Sequence, residues 1–323
     1  MSVTIFTHPA CLEHDPGFGH PECPDRLRAV LAALEHSDFA GLSRQEAPRA
    51  SVEQLERAHP ADYVARILAI RPQAGDSVRL DPDTVMSAGS AEAALRAAGG
   101  ACAAVDAVMA GREASAFVVV RPPGHHAERA QAMGFCLFGS VAVAALHARA
   151  RWGVRRIAVV DFDVHHGNGT QAILQHDADM FFASSHQHPC YPGTGAAAET
   201  GVAGNVVNVP LAPGSGSAAF RLAWTGTILP ALEAFGPELL LVSAGFDAHR
   251  ADPLAQLELE ADDFRWITEA LLAVAGRHCA GRLISVLEGG YDLEALAASS
   301  TAHVRALMNG PAESHHPDPQ GRP

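Results

Sequence analysis

Seven short runs of this chain are apolar at nearly every position: 3–6, 117–120, 157–160, 180–183, 206–209, 239–242 and 283–287. A strand with one wet face alternates apolar and polar residues, so an unbroken apolar run marks a strand covered on both faces. Helical patterns lie between the runs. Over 26–35, Leu27, Val30, Leu31 and Leu34 fall on one face and Pro24 suits a first turn. Over 262–276, Phe264, Ile267, Leu271 and Leu272 form a common stripe behind an acidic start. This alternation predicts a single-domain, three-layer α/β/α architecture around a mostly parallel central sheet. Two features interrupt it. Gly99 and Gly100 break the alanine-rich pattern over 88–110, which suggests close helix packing there, and Pro230 should end or kink the segment 218–235.

The chain of 323 residues is 48% hydrophobic and 18% charged, enough to bury a full core. Acidic residues outnumber basic ones 36 to 23, for a formal charge of -13, and no Lys/Arg block tracks a phosphate backbone. Nucleic acid is therefore not expected as a direct partner. The six cysteines contain no C-x-x-C, and a chain of this length needs no disulfide staples, which fits a reducing compartment. The first residues have no basic region followed by an apolar one, and no stretch approaches the about 20 apolar residues of a membrane span. A cytoplasmic protein with no membrane partner is expected, and its oligomeric state is left open. The domain is expected to cover 1–308, and 309–323 is too polar and proline-rich to pack, reading as a flexible tail.

The run 157–160 ends directly in Asp161-Phe162-Asp163-Val164-His165-His166. In extended backbone alternate side chains face the same way, placing Asp161, Asp163 and His165 together at the carboxyl edge of the sheet, where parallel sheets gather ligands. Two carboxylates and an imidazole suit a Zn2+ or a similar ion with an open position for water. Three more runs end in polar motifs: Arg121-Pro122-Pro123-Gly124-His125-His126, Ser243-Ala244-Gly245-Phe246-Asp247 and Glu288-Gly289-Gly290-Tyr291. At a shared edge Asp247 would complete three protein ligands. The rigid Pro-Pro-Gly turn would aim both imidazoles into a cleft, one to take a proton from water and the other, as a cation, to steady charge. Asp161 would serve as an orienting carboxylate, and the Tyr291 hydroxyl could stabilise a tetrahedral oxyanion.

These motifs resemble the zinc-dependent histone deacetylase family of the arginase/deacetylase fold, in its class II-like bacterial form. The resemblance is carried by His20-Pro21-Glu22-Cys23-Pro24-Asp25-Arg26-Leu27, the Arg121 to Ala127 and Asp161 to Gln171 segments, Gly134-Phe135-Cys136, Tyr191-Pro192-Gly193-Thr194-Gly195, Gly245-Phe246-Asp247-Ala248-His249 and Glu288-Gly289-Gly290-Tyr291. It implies Zn2+ on Asp163, His165 and Asp247. It also implies His126 as general base and later acid, His125 as an electrostatic partner held by Asp161, and Tyr291 as the donor that polarises the amide carbonyl. Asn168 stands against the second histidine, where class I relatives carry aspartate. A K+ is implied at Asp161, Asp163, His165 and Ser184. Gly134, Phe135 and Tyr191 match the walls of an acyl-lysine tunnel, Leu254 matches its rim, and Arg26 matches an arginine beside the pocket that receives the released acid.

The combined reading is a zinc amidohydrolase that removes an acetyl or other short acyl group from the amine of acyl-lysine, in a peptide, a protein or a small acylated amine. Three rivals remain: an acetylpolyamine amidohydrolase, a non-catalytic binder of acylated lysine, and a dimanganese ureohydrolase. The last would need a second aspartate-rich motif that this sequence lacks.

Overall fold

The computed structural model describes residues 2–310. Ten strands run in chain order as β1 (Val3–Thr7), β2 (Ser43–Glu46), β3 (Val78–Arg79), β4 (Val85–Met86), β5 (Ser115–Val118), β6 (Ile157–Asp161), β7 (Met180–Gln187), β8 (Val206–Leu211), β9 (Leu239–Ala244) and β10 (Leu283–Leu287). Eight form one sheet in the order β2-β1-β5-β10-β9-β6-β7-β8, and β3 pairs with β4 in a small antiparallel ribbon. Every neighbouring pair in the large sheet is parallel. The four central strands β5, β10, β9 and β6 are buried at every residue, because helices cover both faces. Their continuous apolar composition follows from that burial.

All seven apolar runs become strands. The edge strand β2 had no such signal: Ser43, Arg44, Gln45 and Glu46 are polar, and pairing with β1 alone makes them extended. β5 begins two residues before its apolar run, and Val119 still donates to Phe6 O at 2.8 Å beyond it. The helix Ser90–Met109 passes through both glycines unbroken. A Cβ on Gly99 would lie 2.1 Å from Pro48 O, and one on Gly100 would lie 2.8 Å from Ala47 Cβ. The close neighbour is thus the segment after β2 and not another helix. Before Pro230 the helix widens into a π-turn, Trp224–Ile228, and a helix of ordinary pitch resumes at Leu229–Phe235. The wider turn absorbs the backbone mismatch that proline imposes on the preceding turn. Asn309 closes the last helix, Leu293–Asn309, and Gly310 caps it with φ 75°. The rest of the segment read as a tail, 311–323, lies outside the described residues. Among the described residues no helix is long and apolar enough to cross a membrane.

Two buried histidines tie elements together as neutral rings. His303, on the last helix, bonds Thr268 Oγ1 at 2.6 Å and Ser285 Oγ at 2.9 Å, joining that helix to the helix Ala261–His278 and to β10. His59 bonds Arg129 O at 3.0 Å through Nδ1 and accepts the Gly139 N–H at 3.0 Å on Nε2. Burial lowers His303 from 6.5 to about 3 and His59 to about 4. Because the folded-state values are depressed, the unfolded chain binds protons that the native state refuses, and stability falls as pH drops from 6.5 toward those values. Each ring is expected to contribute a slope of about 1.4 kcal/mol per pH unit. Urea unfolding between pH 6.5 and 4.5 should therefore show a falling midpoint, with a shallower fall in H303Q. Equal slopes in the two proteins would contradict this assignment.

Candidate metal centre and cavity

The four polar motifs follow β5, β10, β9 and β6, which are adjacent in the sheet. Parallel pairing puts all four carboxyl ends on one edge, so residues far apart in sequence meet there. Asp163, His165 and Asp247 each bring a donor atom within 4.8 Å of the others, and all three are buried. His165 Nδ1 lies 3.1 Å from Asp163 Oδ1 and 3.0 Å from Asp247 Oδ2. The backbone fixes the carboxylates: Gly289 N–H donates to Asp163 Oδ2 at 2.8 Å, Val164 N–H to Asp247 Oδ1 at 2.9 Å and Asp163 N–H to Asp161 Oδ1 at 3.0 Å. Glycine is required at two positions packed against these carboxylates. A Cβ on Gly245 would lie 2.0 Å from Asp163 Oδ2, and one on Gly289 would lie 2.1 Å from Asp247 Oδ2.

Charge in this cluster is poorly balanced by protein alone. Burial, then the neighbouring Asp163, pushes the Asp247 carboxyl up to about 7. Burial opposes ionisation of Asp163 as well, yet His125 and the bonds from His165 hold it well below the usual carboxylate range. Two buried carboxylates facing one imidazole nitrogen, inside a cradle with no room for a methyl group, fit a small divalent cation of the kind that takes mixed O and N donors.

The adjacent histidines have different environments. His125 Nδ1 donates to Asp161 Oδ2 at 2.9 Å, whereas His126 Nδ1 faces Asn168 Oδ1 at 2.8 Å, and the two rings are 4.0 Å apart. Burial disfavours a charged His125, but the carboxylates of Asp163 and Asp161 outweigh it and raise the ring to about 10. Burial, followed by the positive charges of His125 and His165, holds His126 well below its ordinary value. One ring is therefore a cation and the other a neutral acceptor. Asp161 is itself raised to about 6 by burial despite its bond to His125.

A cavity of about 210 Å3 opens over His126 and His165 and is lined by Asp83, Gly134, Phe135, Tyr191, Leu254 and Tyr291. The Tyr191 ring stands edge-on to His126 at 5.0 Å, and Phe135 meets Tyr291 at 5.9 Å. Gly134 and Phe135 both take positive φ, 55° and 68°, and a Cβ at Gly134 would lie 2.3 Å from His126 Cδ2. That close approach admits only glycine, and the Thr84 hydroxyl accepts the Phe135 N–H at 3.0 Å to hold the unusual turn. Tyr291 is fixed from two sides. Its N–H donates to Asp252 Oδ2 at 2.7 Å, and the Arg26 guanidinium lies 4.7 Å over its ring. Arg26 also donates to Gly290 O and Glu288 O, each at 2.5 Å, and to Glu22 Oε1 at 3.0 Å. Two guanidinium nitrogens, Nε and Nη2, thus hold the Glu288 to Tyr291 turn, and the third, Nη1, is anchored by Glu22. Burial raises the Tyr291 hydroxyl well above 10 despite Arg26, so it stays protonated.

Ser184 is the register partner of Asp161 across β6 and β7, and its hydroxyl pairs with His186 Nδ1 at 2.9 Å. Sequence reasoning gave no role to three residues that shape the site. Glu288 Oε2 accepts the N–H groups of Gly124 at 2.6 Å and His125 at 3.1 Å, pinning the double-histidine turn to the end of β10. Asp252 positions Tyr291 and also accepts the Leu254 N–H at 3.0 Å; its place before Pro253 was the available signal, since aspartate often bonds the N–H two residues on. Asp83 adds a carboxylate to the cavity wall. In G289A the new methyl group should displace Asp247 and Asp163 and weaken Zn2+ binding about ten-fold or more, read by competition with a chromophoric chelator. Undiminished affinity would exclude this donor set.

Residues 20–307 match the family described as histone deacetylase domain. The chain is 46% identical over 279 residues to a histone deacetylase-like amidohydrolase of Pseudomonas aeruginosa, covering 85% of this chain and 73% of that protein. It is 36% identical over 320 residues to a probable deacetylase of Archaeoglobus fulgidus, covering 96% and 87%. Its structure resembles the crystal structure of the HDA15 HD domain with a TM-score of 0.89 at 35% identity, over 97% of this chain and 90% of that one.

Proposed function

The chain belongs to the histone deacetylase family, and from that membership we propose that it is a zinc-dependent amidohydrolase removing an acetyl or other short acyl group from the side-chain amine of acyl-lysine. The observation that carries the reading is the contrast at the double histidine. A neutral His126, its Nδ1 engaged by Asn168, lines one cavity together with Tyr291 and with His165, which belongs to the three-residue donor cluster. Asp163, His165 and Asp247 would hold the Zn2+, which when bound supplies Lewis acidity and makes water a nucleophile near neutral pH.

The chain's own residues account for the remaining steps. Phe135, Tyr191 and Leu254 offer an apolar passage for an alkyl stem, with Gly134 letting the wall approach His126. The Nε2 of His126 accepts a proton from the attacking water and later returns it to the departing amine. Cationic His125, held by Asp161, offsets negative charge developing at the reacting carbon's oxygen, and the protonated Tyr291 hydroxyl donates to that oxygen. The reading extends to a K+ held through Asp161, Asp163, His165 and Ser184, supported by the register pairing of Asp161 with Ser184.

A second reading, acetylpolyamine hydrolysis, is favoured by the Asp83 carboxylate in the cavity wall, while the apolar rim residue Leu254 favours acyl-lysine. Turnover of acetyl-lysine peptides, longer-acyl peptides, and acetylated spermidine and putrescine separates them. Hydrolysis of the acetyl-lysine peptide should vanish with a chelator, return with Zn2+, and fall about 100-fold or more in H126A. Activity confined to polyamines would refute the lysine reading, and binding of the peptide by zinc-loaded protein without cleavage would make it a non-catalytic binder.

A further inference from the structure

The side chain of Asn168, at the start of the helix Asn168–Leu174, is nearly isosteric end for end but opposite in hydrogen bonding: Oδ1 accepts and Nδ2 donates twice. Which end faces His126 decides where the ring's single proton sits. With Oδ1 toward the ring, 2.8 Å from Nδ1, the proton is on Nδ1 and Nε2 keeps its lone pair. Turned over, the amide would present an N–H to Nδ1, the proton would move to Nε2, and the ring could not accept a proton there. Nothing in the His126–Asn168 contact itself chooses between the two.

The choice is made at the other end of the amide. Nδ2 donates to Glu128 Oε1 at 2.8 Å and lies 3.4 Å from Met133 Sδ. A carboxylate and a thioether sulfur only accept, so an amide oxygen in that place would face two acceptors and no donor. The Glu128 bond is also charge-assisted, which widens the difference. Glu128 is anchored for this role by its own N–H, which donates to Gln131 O at 2.9 Å, and the loop then closes through a bridge between Met133 and Cys136. The loop that builds the Gly134–Phe135 wall therefore also carries the two acceptors that orient Asn168.

We infer that Glu128 is a positioning residue, which through Asn168 holds His126 in the tautomer whose Nε2 can act as base. The inference rests on the reading of His126 as that base. Glu128 does not line the reaction cavity; its effect passes through the orientation of a neutral amide. An aspartate at position 168 would have oxygen at both ends and need no orienting partner, and it would be repelled by Glu128. The glutamate and the asparagine thus form a matched pair.

The test combines kinetics on an acetyl-lysine peptide with the ring 15N shifts of His126 in zinc-loaded, 15N-histidine-labelled protein, the signals being assigned by their loss in H126Q. Wild type should show the proton on Nδ1. In E128A a population with the proton on Nε2 should appear, and kcat should fall about ten-fold or more with KM within about two-fold. E128Q, whose carbonyl can still accept, should stay within about three-fold of wild type. The sign should reverse with aspartate at 168: N168D should be slower than E128A/N168D. E128M, which fills the volume without an accepting oxygen, replaces E128A should the latter fold poorly. An unchanged His126 tautomer in the variant without the acceptor, or an equal loss of rate whether position 168 is Asn or Asp, would overturn the inference. Absence of acyl-lysine hydrolysis in wild type would instead remove the functional reading, and the tautomer comparison would still decide the role of Glu128.

Discussion

The structure is organised around negative charge held out of water. Asp161, Asp163, Asp247 and Glu288 are each at most 1% exposed, and a buried carboxylate without partners costs several kcal/mol. Partners come from backbone on three different loops: the N–H groups of Asp163, Val164 and His165 after β6, of Gly289 after β10, and of Gly124 and His125 after β5. Each carboxylate is therefore also a crosslink between segments. The loops cannot relax without leaving a buried charge unsatisfied, which makes the edge of the sheet rigid and keeps donors aimed at a cation.

The same economy of parts distinguishes the two histidines. They are consecutive, both buried and in ring contact at 4.0 Å, yet a carboxylate stands behind one and an amide behind the other. Carboxylates around one ring, Asp163 and Asp161, and burial beside positive charge at the other set a cation next to a neutral acceptor, the kind of separation that divides acid and base duties between like groups elsewhere in enzymology. The candidate metal donors and the aromatic wall then surround a pair of rings whose charge states are decided by their neighbours.

The central strands were legible because burial on both faces writes itself into composition, as in 157–160 and 239–242. The polar residues that end them were legible for the same reason, since a carboxylate or imidazole next to a fully apolar strand has few structural uses. What could not be read depends on tertiary partners. β2 is extended only because β1 lies beside it, and Gly99 is required by a carbonyl from residue 48. The importance of Glu288 lies in bonds to a turn 163 and 164 positions away, which no local pattern encodes. Asp83 and Glu128 sit in irregular loops, where periodicity carries no signal. Arg26 matched an arginine beside a product pocket, and its bonds give it a concrete task, holding the turn that precedes Tyr291.

The strand order has a consequence for how the molecule comes into being. β10, the last of the described strands in chain order, inserts between β5 and β9 at the middle of the sheet. Until it arrives, those two strands present unfilled backbone edges across a central gap, the kind of edge that recruits stray strands. Arg26 meanwhile waits for Gly290, 264 positions downstream. A growing chain thus carries nearly all of its chemical apparatus in a body that is still split in two, and a single late segment both closes the split and delivers the tyrosine to the cavity.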